Sequence, residues 1–337
     1  MRIVVAHSHL NSFGGGERAT LELAQRLSQR HRVTLWAGNY RPRATYAAFA
    51  GLPRRDLAPL DWLIRTPQAD AVVTHTFGAN LLALRHPHVL CYLHTLRSVY
   101  AQGGMRPDLI ARRVLERRAL RSAFAILTNS AYTARRAASL YGLAPERIEV
   151  VPLGANEAYF ALPQRVGVYA LYVGRLAPEK GLERLLAWSA DLPLDLQLVG
   201  AGDPVYVAQL QRLAGPRVTF RGPLVGDALA AAYAGCRFFA FLPFAEEFGL
   251  AALDALAAGK PVVAARDGGL PELVKDGVSG YLVGSMAEYR MAARWLLDDD
   301  ALCWRLGEAG RATARAYAWN AYANRIEALC MAAQDTV

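Results

Sequence analysis

Short apolar runs rich in Val, Ile and Leu alternate along the chain with longer stretches whose apolar positions recur every three or four residues. In the first half RIVVAHSH (2–9), RVTLWAG (32–38), DAVVTHT (70–76), HVLCYLHT (88–95), FAILTNS (124–130) and IEVVPLG (148–154) predict strands. Between them ERATLELAQRLSQR (17–30) predicts an amphipathic helix with Leu21, Leu23, Ala24 and Leu27 inward; LIARRVLERRALRSA (109–123) and TARRAASLYG (133–142) predict two more. The alternation then restarts. VYALYVGRL (168–176), LDLQLVGAG (194–202), RVTFRGPL (217–224), RFFAFLPF (237–244) and KPVVAARDG (260–268) are strands, again with helices between. Strands separated by helices imply parallel sheets in doubly wound α/β units. The expected organisation is a Rossmann-like domain over 1–160, a second over 161–313 and a final helical stretch over 314–337. Residues 156–165, which hold Pro163 and no periodicity, read as the linker.

Length and composition agree with two domains, since 337 residues exceed one ordinary core. No window reaches the roughly 18 unbroken apolar positions of a membrane span. The opening MRIVVAHSHL lacks a basic segment and a small-residue cleavage site, so it reads as a strand and not as a signal peptide. Cys91, Cys236, Cys303 and Cys330 are scattered and suggest neither a disulfide framework nor a zinc site. A cytoplasmic protein is expected. Charge is uneven: residues 1–160 carry 21 Arg, no Lys and 10 acids, a net of +11, whereas 161–337 carry 17 basic and 19 acidic residues, a net of −2. The basic half could meet anionic lipid, a phosphorylated acceptor or nucleic acid. Its aromatics are not interleaved with the Arg runs as base stacking requires, so no nucleic-acid partner is expected.

Three segments carry candidate chemistry, each just past a predicted strand, where ligands bind in open α/β sheets. Phe13-Gly14-Gly15-Gly16-Glu17-Arg18 opens a helix. Its glycines permit close approach of a phosphate to exposed amides, or simply make a tight turn. It lacks the G-x-G-x-x-G spacing of a dinucleotide site. In Gly174-Arg175-Leu176-Ala177-Pro178-Glu179-Lys180-Gly181, Arg175 and Lys180 bracket a turn and could converge on one diphosphate, or be solvated charges paired with Glu179 or Glu183. From Glu246 to Asp254, two carboxylates eight apart are placed along one helix face, with Gly249 between. One could meet sugar hydroxyls and the other a ribose diol; alternatively both are ordinary helix acids.

Together these segments resemble glycosyltransferase family 4, retaining enzymes of the GT-B fold. The resemblance covers nearly the whole chain: the G-G-x-E-R turn at 14–18, NSAYTARR (129–136), YVGRLAPEKG (172–181), EEFGLAALDALAAGKPVVA (246–264) and PELVKDGVSGYLV (271–283). It implies two Rossmann-like domains facing a central cleft, with a C-terminal helix, ARAYAWNAYANRIEALCMAA (314–333), crossing back to the first. It implies that Arg175 and Lys180 hold the donor diphosphate, that Glu246 lies by the transferred sugar and that Asp254 reaches the ribose. Phe248, Gly249 and Leu250 lie beside them, and Gly15 and Gly16 cap the phosphate or line the acceptor side. Asp254 departs from the family's usual Glu. His94, in CYLHTLRSVY (91–100), resembles the family's active-site histidine. His94, Thr95 and Arg97 are similar to an H-T-P-x-R-Y run of bacterial mannosyltransferases, although Leu96 replaces Pro and Tyr100 is displaced. GDP-mannose is therefore a lean for the donor. His7, His9 and His75 are expected to be structural, or at most on the acceptor side.

The expected function is metal-independent, retaining transfer of a hexose from a nucleotide-diphosphate sugar to a glycan or lipid-linked acceptor. No cofactor is expected; the alternative is a non-catalytic nucleotide-sugar binder. Asp298-Asp299-Asp300 is expected at a helix end without metal. Helix 109–123, with Arg112, Arg113, Arg117, Arg118 and Arg121, either lies peripherally on an anionic inner-membrane face or is a solvated face over an ordinary core stripe.

Overall fold

The computed structural model describes residues 1–96 and 107–335. Arg97 and Tyr100 of the histidine-bearing segment lie outside the described residues. The chain forms two compact units, Met1–Gly154 with Trp319–Val337, and Ala155–Ala318.

The first unit is built on a seven-stranded sheet in the order β3-β2-β1-β4-β5-β6-β7. Its strands are β1 (Arg2–His7), β2 (Arg32–Gly38), β3 (Arg54–Leu57), β4 (Ala71–Thr74), β5 (Val89–Leu93), β6 (Ala125–Thr128) and β7 (Ile148–Val150). Every pairing is parallel. Central strands buried on both faces explain the unbroken apolar runs: all four residues of β4 and all five of β5 are buried. The helix Trp319–Gln334 belongs to this unit, where Tyr322 meets the Tyr92 ring edge-on at 5.4 Å and Glu327 accepts from Arg30 and meets His31.

The second unit holds a six-stranded parallel sheet in the order β10-β9-β8-β11-β12-β13. These strands are β8 (Tyr169–Val173), β9 (Asp195–Val199), β10 (Val218–Gly222), β11 (Cys236–Phe241), β12 (Val262–Ala265) and β13 (Gly280–Val283). Lys260, only 1% exposed, donates to the carbonyls of Arg165 and Ala234, both at 2.7 Å, and burial lowers its pKa. A buried ammonium is tolerable here because it is hydrogen-bonded.

Four expectations change. The expected linker is not loose: Ala155–Phe160 belongs to the second unit, where the Asn156 N–H donates to Asp254 at 2.9 Å and Tyr159 packs on Tyr233 at 5.1 Å. The final boundary moves to 318/319. Two edge strands, β3 and β13, join the eleven expected ones; Arg54-Arg55-Asp56 is too polar, and Gly280 too permissive, to announce a strand. The helix Pro107–Ser122 does not form the ordinary core stripe that was one of its two readings. Ile110, Val114 and Leu115 are exposed, and the buried positions are Glu116, Ala119 and Leu120. Glu116 is held by Asn80 Nδ2 at 3.2 Å and the Tyr141 hydroxyl at 2.6 Å, which compensates its burial.

Candidate functional site

A doubly wound sheet has one place where its strand order reverses, and the loops beyond the carboxyl ends there leave a crevice. In the second unit the reversal falls between β8 and β11. The loop after β8 carries Arg175 and Lys180, and the loop after β11 runs through Phe244 to Gly249. Lys180 Nζ lies 2.7 Å from Glu246 Oε2, with side chains 16% and 13% exposed. Residues 66 apart are thus paired because both strands end at the same point.

Three features hold these loops together. Gly181 adopts φ +65°, and a Cβ there would lie 2.0 Å from the Leu242 carbonyl, so only glycine lets the β8 loop pass so close to β11. The Phe244 N–H donates to the Glu179 carbonyl at 3.0 Å. Arg184 donates to the carbonyls of Leu242 and Pro243 and lies 4.2 Å over the Phe244 ring. The far side of the Glu246 loop is fixed by the turn after β12. Asp267 accepts from the N–H groups of Ala245 and Gly268, both at 2.7 Å, and the Gly269 N–H donates to the Glu246 carbonyl at 2.7 Å. A Cβ at Gly268 would strike that carbonyl at 2.2 Å. Ala245 is held at φ +48°, a costly conformation for alanine that the Asp267 bond supports.

Glu246 and Asp254 do not share a helix face, contrary to expectation. Glu246 is in the loop, Gly249 at φ +94° breaks the chain direction, and the helix begins only at Leu250. Asp254 lies on that helix, with Oδ1 taken by the Asn156 N–H. Phe248 is buried edge-on against Tyr317 at 6.0 Å. Arg175 does not converge with Lys180: it pairs with Glu179 at 2.8 Å and is 61% exposed. Asp299 caps the next helix through the Leu302 N–H, and Asp300 pairs with Arg237.

In the first unit the order reverses between β1 and β4. Here the chemistry is uncharged. His7 ends β1, His75 follows β4 and His94 follows β5. His75 Nδ1 lies 2.7 Å from His94 Nε2, and His7 stacks on His75 with centroids 6.3 Å apart. The glycine turn lies over this group: a Cβ at Gly16 would sit 3.5 Å from His7 Nε2 and 3.7 Å from His94 Cδ2. Gly14 is the N-cap of the helix Gly15–Leu27 and supplies no side-chain cap. Burial pushes the His7 and His94 imidazoles down to about 3, His94 also lowering His7, and burial takes His75 well below its ordinary value. All three are neutral at physiological pH. Asn129, from the expected Asn-Ser strand end, donates to the His94 carbonyl at 3.0 Å, while Ser130 caps the helix Ala131–Tyr141.

Sequence reasoning singled out His94 but set His7 and His75 aside. The available signal was positional: each stands at or just beyond the end of a central strand, and in this strand order β1, β4 and β5 are neighbours.

Among the described residues no group of three or more His, Cys, Asp or Glu is arranged to hold a metal ion, and no helix is long and apolar enough to cross a membrane.

Comparison with known proteins follows the same division. Residues 13–159 match the model of Glycosyltransferase Family 4, and residues 166–313 that of Glycosyl transferases group 1. A D-inositol 3-phosphate glycosyltransferase of Mycolicibacterium vanbaalenii is 33% identical over 236 residues, 61% of this chain and 52% of that protein. Its counterpart in Corynebacterium glutamicum is 30% identical over 270 residues, 70% of this chain and 64% of that protein. The matches thus span between about half and two thirds of the length of these curated relatives. Two solved structures are similar over nearly the whole chain. Anabaena Alr3699/HepE in complex with UDP has a TM-score of 0.80 at 20% identity, covering 97% of this chain and 98% of that one. Sucrose-phosphate synthase from Thermosynechococcus elongatus has a TM-score of 0.80 at 21% identity, covering 100% of both. At such identity these likenesses carry the fold, which is GT-B. With one family model on each unit and two parallel sheets of the matching architecture, the chain belongs to the family 4, group 1 glycosyltransferases.

Proposed function

We propose that the protein is a retaining glycosyltransferase that moves a hexose from a nucleotide-diphosphate sugar to a glycan or lipid-linked acceptor. The observation that carries this reading is the pairing of Lys180 with Glu246 at the β8/β11 reversal, on loops locked by Gly181, Asp267 and Gly268. Lys180 binds the donor diphosphate and offsets the negative charge that grows on it as the sugar leaves; fixed cations at such a point lower the barrier. Glu246 orients Lys180 and meets the sugar hydroxyls. Arg175 swings from Glu179 to the diphosphate, and Gly249 and Leu250 lie beside the donor. Asp254 approaches the ribose.

The first unit supplies the acceptor side, with His94 at the reacting sugar under Gly15 and Gly16. Among the described residues no carboxylate is hydrogen-bonded to His94, whose ring meets His75, and this favours same-face attack. The bond from the anomeric carbon to the phosphate oxygen breaks, the bond to the acceptor oxygen forms, and the acceptor proton passes to the leaving phosphate. No metal or cofactor takes part.

Crystal structures of the Anabaena neighbour with UDP and with UDP-glucose support a nucleotide-sugar donor and favour uridine over the guanosine that the sequence leaned toward. The curated relatives' name, with the first unit's net charge of +11, supports a phosphorylated acceptor or an anionic lipid surface. The exposed Ile110, Val114 and Leu115 beside Arg113, Arg117 and Arg118 support peripheral contact with such a surface.

A thermal-shift panel of UDP-, GDP- and ADP-sugars, followed by nucleoside-diphosphate release with candidate acceptors, tests the reading. One donor should raise Tm and then be turned over. Stabilisation without release under any acceptor leaves only a nucleotide-sugar binder, and no stabilisation by any of them sinks the donor site.

A further inference from the structure

His75 is 3% exposed, and its ring lies 17° from the plane of His94. Tyr92 packs against both, at 5.7 Å from His75 and 4.5 Å from His94, with its hydroxyl anchored on the Val151 carbonyl at 2.6 Å. Neither ring can turn without displacing this tyrosine. The contact between His75 Nδ1 and His94 Nε2 is a single N–H···N hydrogen bond, so one proton lies between the two nitrogens. A neutral imidazole carries one N–H and one lone pair. Only two arrangements are therefore possible. If His94 donates, His75 must hold its own proton on Nε2; if His75 donates, its Nε2 is a bare lone pair.

His75 Nε2 is buried and has no hydrogen-bond partner among the described residues. An N–H stranded in that position would be an orphaned buried donor, the rarer defect in folded proteins; a stranded lone pair is better tolerated. We propose that His75 is a positioning residue for His94, donating its Nδ1 proton to His94 Nε2 and so holding His94 as the Nδ1–H tautomer, a hydrogen-bond donor and not a base.

The consequence reaches the chemistry. His94 has its Nε2 lone pair occupied and its remaining ring nitrogen protonated, so whatever meets Nδ1 must be an acceptor: a sugar hydroxyl oxygen or a phosphate oxygen. It cannot remove the acceptor's proton, which agrees with that proton going to the leaving phosphate. His94's part in sugar transfer rests on the function proposed above, but the tautomer does not.

Protein labelled with 15N-histidine, studied by long-range proton–nitrogen correlation at pH 7, decides the matter without any substrate. His75→Gln and His94→Gln variants assign the rings. The expected spectrum shows His94 protonated at Nδ1 and bare at Nε2, His75 protonated at Nδ1, and a scalar coupling between His75 Nδ1 and His94 Nε2. His94 protonated at Nε2, or His75 protonated at Nε2, overturns the proposal. In His75→Phe, which keeps a ring and removes the donor, His94 should shift toward the Nε2–H form; an unchanged His94 pattern also overturns it. Once a turned-over donor is known, His75→Phe should lower kcat about tenfold with the donor Kd unchanged, and His75→Gln, whose amide can donate, should recover part of the loss.

Discussion

The two sheets reverse their strand order in the same way, yet the crevices they open are chemically opposite. The first unit is strongly basic, with 22 Arg against 11 acids, but the groups at its reversal are three neutral imidazoles, two buried and that of His94 partly so. The second unit has 16 basic residues against 18 acids, but its reversal carries Lys180 against Glu246. Charge summed over a domain bears on what its surface attracts and does not name the groups at its strand ends. Topology fixes where the crevice lies, and the two or three side chains at the strand ends decide what it can hold. A cation supported by a carboxylate suits an anion that comes and goes, because Glu246 keeps Lys180 placed while the site is empty. Neutral imidazoles suit hydroxyl groups, which need hydrogen bonds and no countercharge.

The contrast can be broken first at Lys180. Lys180→Ala should cut turnover at least tenfold, with nucleoside-diphosphate release as the readout; near wild-type release would mean the charged crevice is not where the donor sits. Glu246→Gln keeps a hydrogen-bond acceptor for Lys180 but removes the charge. It should cost about tenfold in turnover and less than about 4 °C in Tm, since roughly 1 kcal/mol shifts Tm by only a few degrees in a domain of this size.

The neutral crevice is open to a test by acid. His7 and His94 titrate near 3 when folded and near 6.5 when unfolded, so the unfolded chain binds the extra protons as pH falls. Stability owed to their neutral forms is present above about 6.5 and is lost between there and 3. For two such groups the loss from pH 7 to pH 5 is about 4 kcal/mol, read by urea unfolding at each pH. A His7→Gln variant should flatten that slope; an equal slope would show that the imidazoles are not buried neutral.

A smaller effect is expected at Gly16. Its added Cβ meets only ordinary contacts, and alanine suits a helix better, so Gly16→Ala should fold with stability raised by about 0.5 kcal/mol. It should still lower turnover several-fold by covering the imidazoles, measured under saturating donor. Smallest of all is the response to EDTA, which should leave turnover unchanged.

Much of this was legible in the sequence, because buried parallel strands write themselves as apolar runs and the motifs follow those runs directly. Eleven of the thirteen strands were visible for that reason. What escaped was set by contacts between distant segments. Glu246 and Asp254 read as one helix because nothing local announces that Ala245 and Gly249 both take positive φ; the Asp267 bond and the Gly268 approach impose the loop. The core-stripe reading of the helix Pro107–Ser122 failed because the partners that make Glu116 a core residue, Asn80 and Tyr141, are 36 and 25 positions away. His75 looked structural because strand order, not spacing, brings it to His94.

The helix Trp319–Gln334 completes the first unit although 164 residues of the second are made in between. During synthesis the second unit, continuous in sequence, can close as soon as Ala318 emerges, whereas the first must wait for Tyr322 to reach Tyr92 and for Glu327 to reach Arg30 and His31. The usual order, in which the domain made first folds first, is thus inverted. A chain truncated after Ala318 should keep a second unit resistant to protease and leave the sheet of the first open to cleavage.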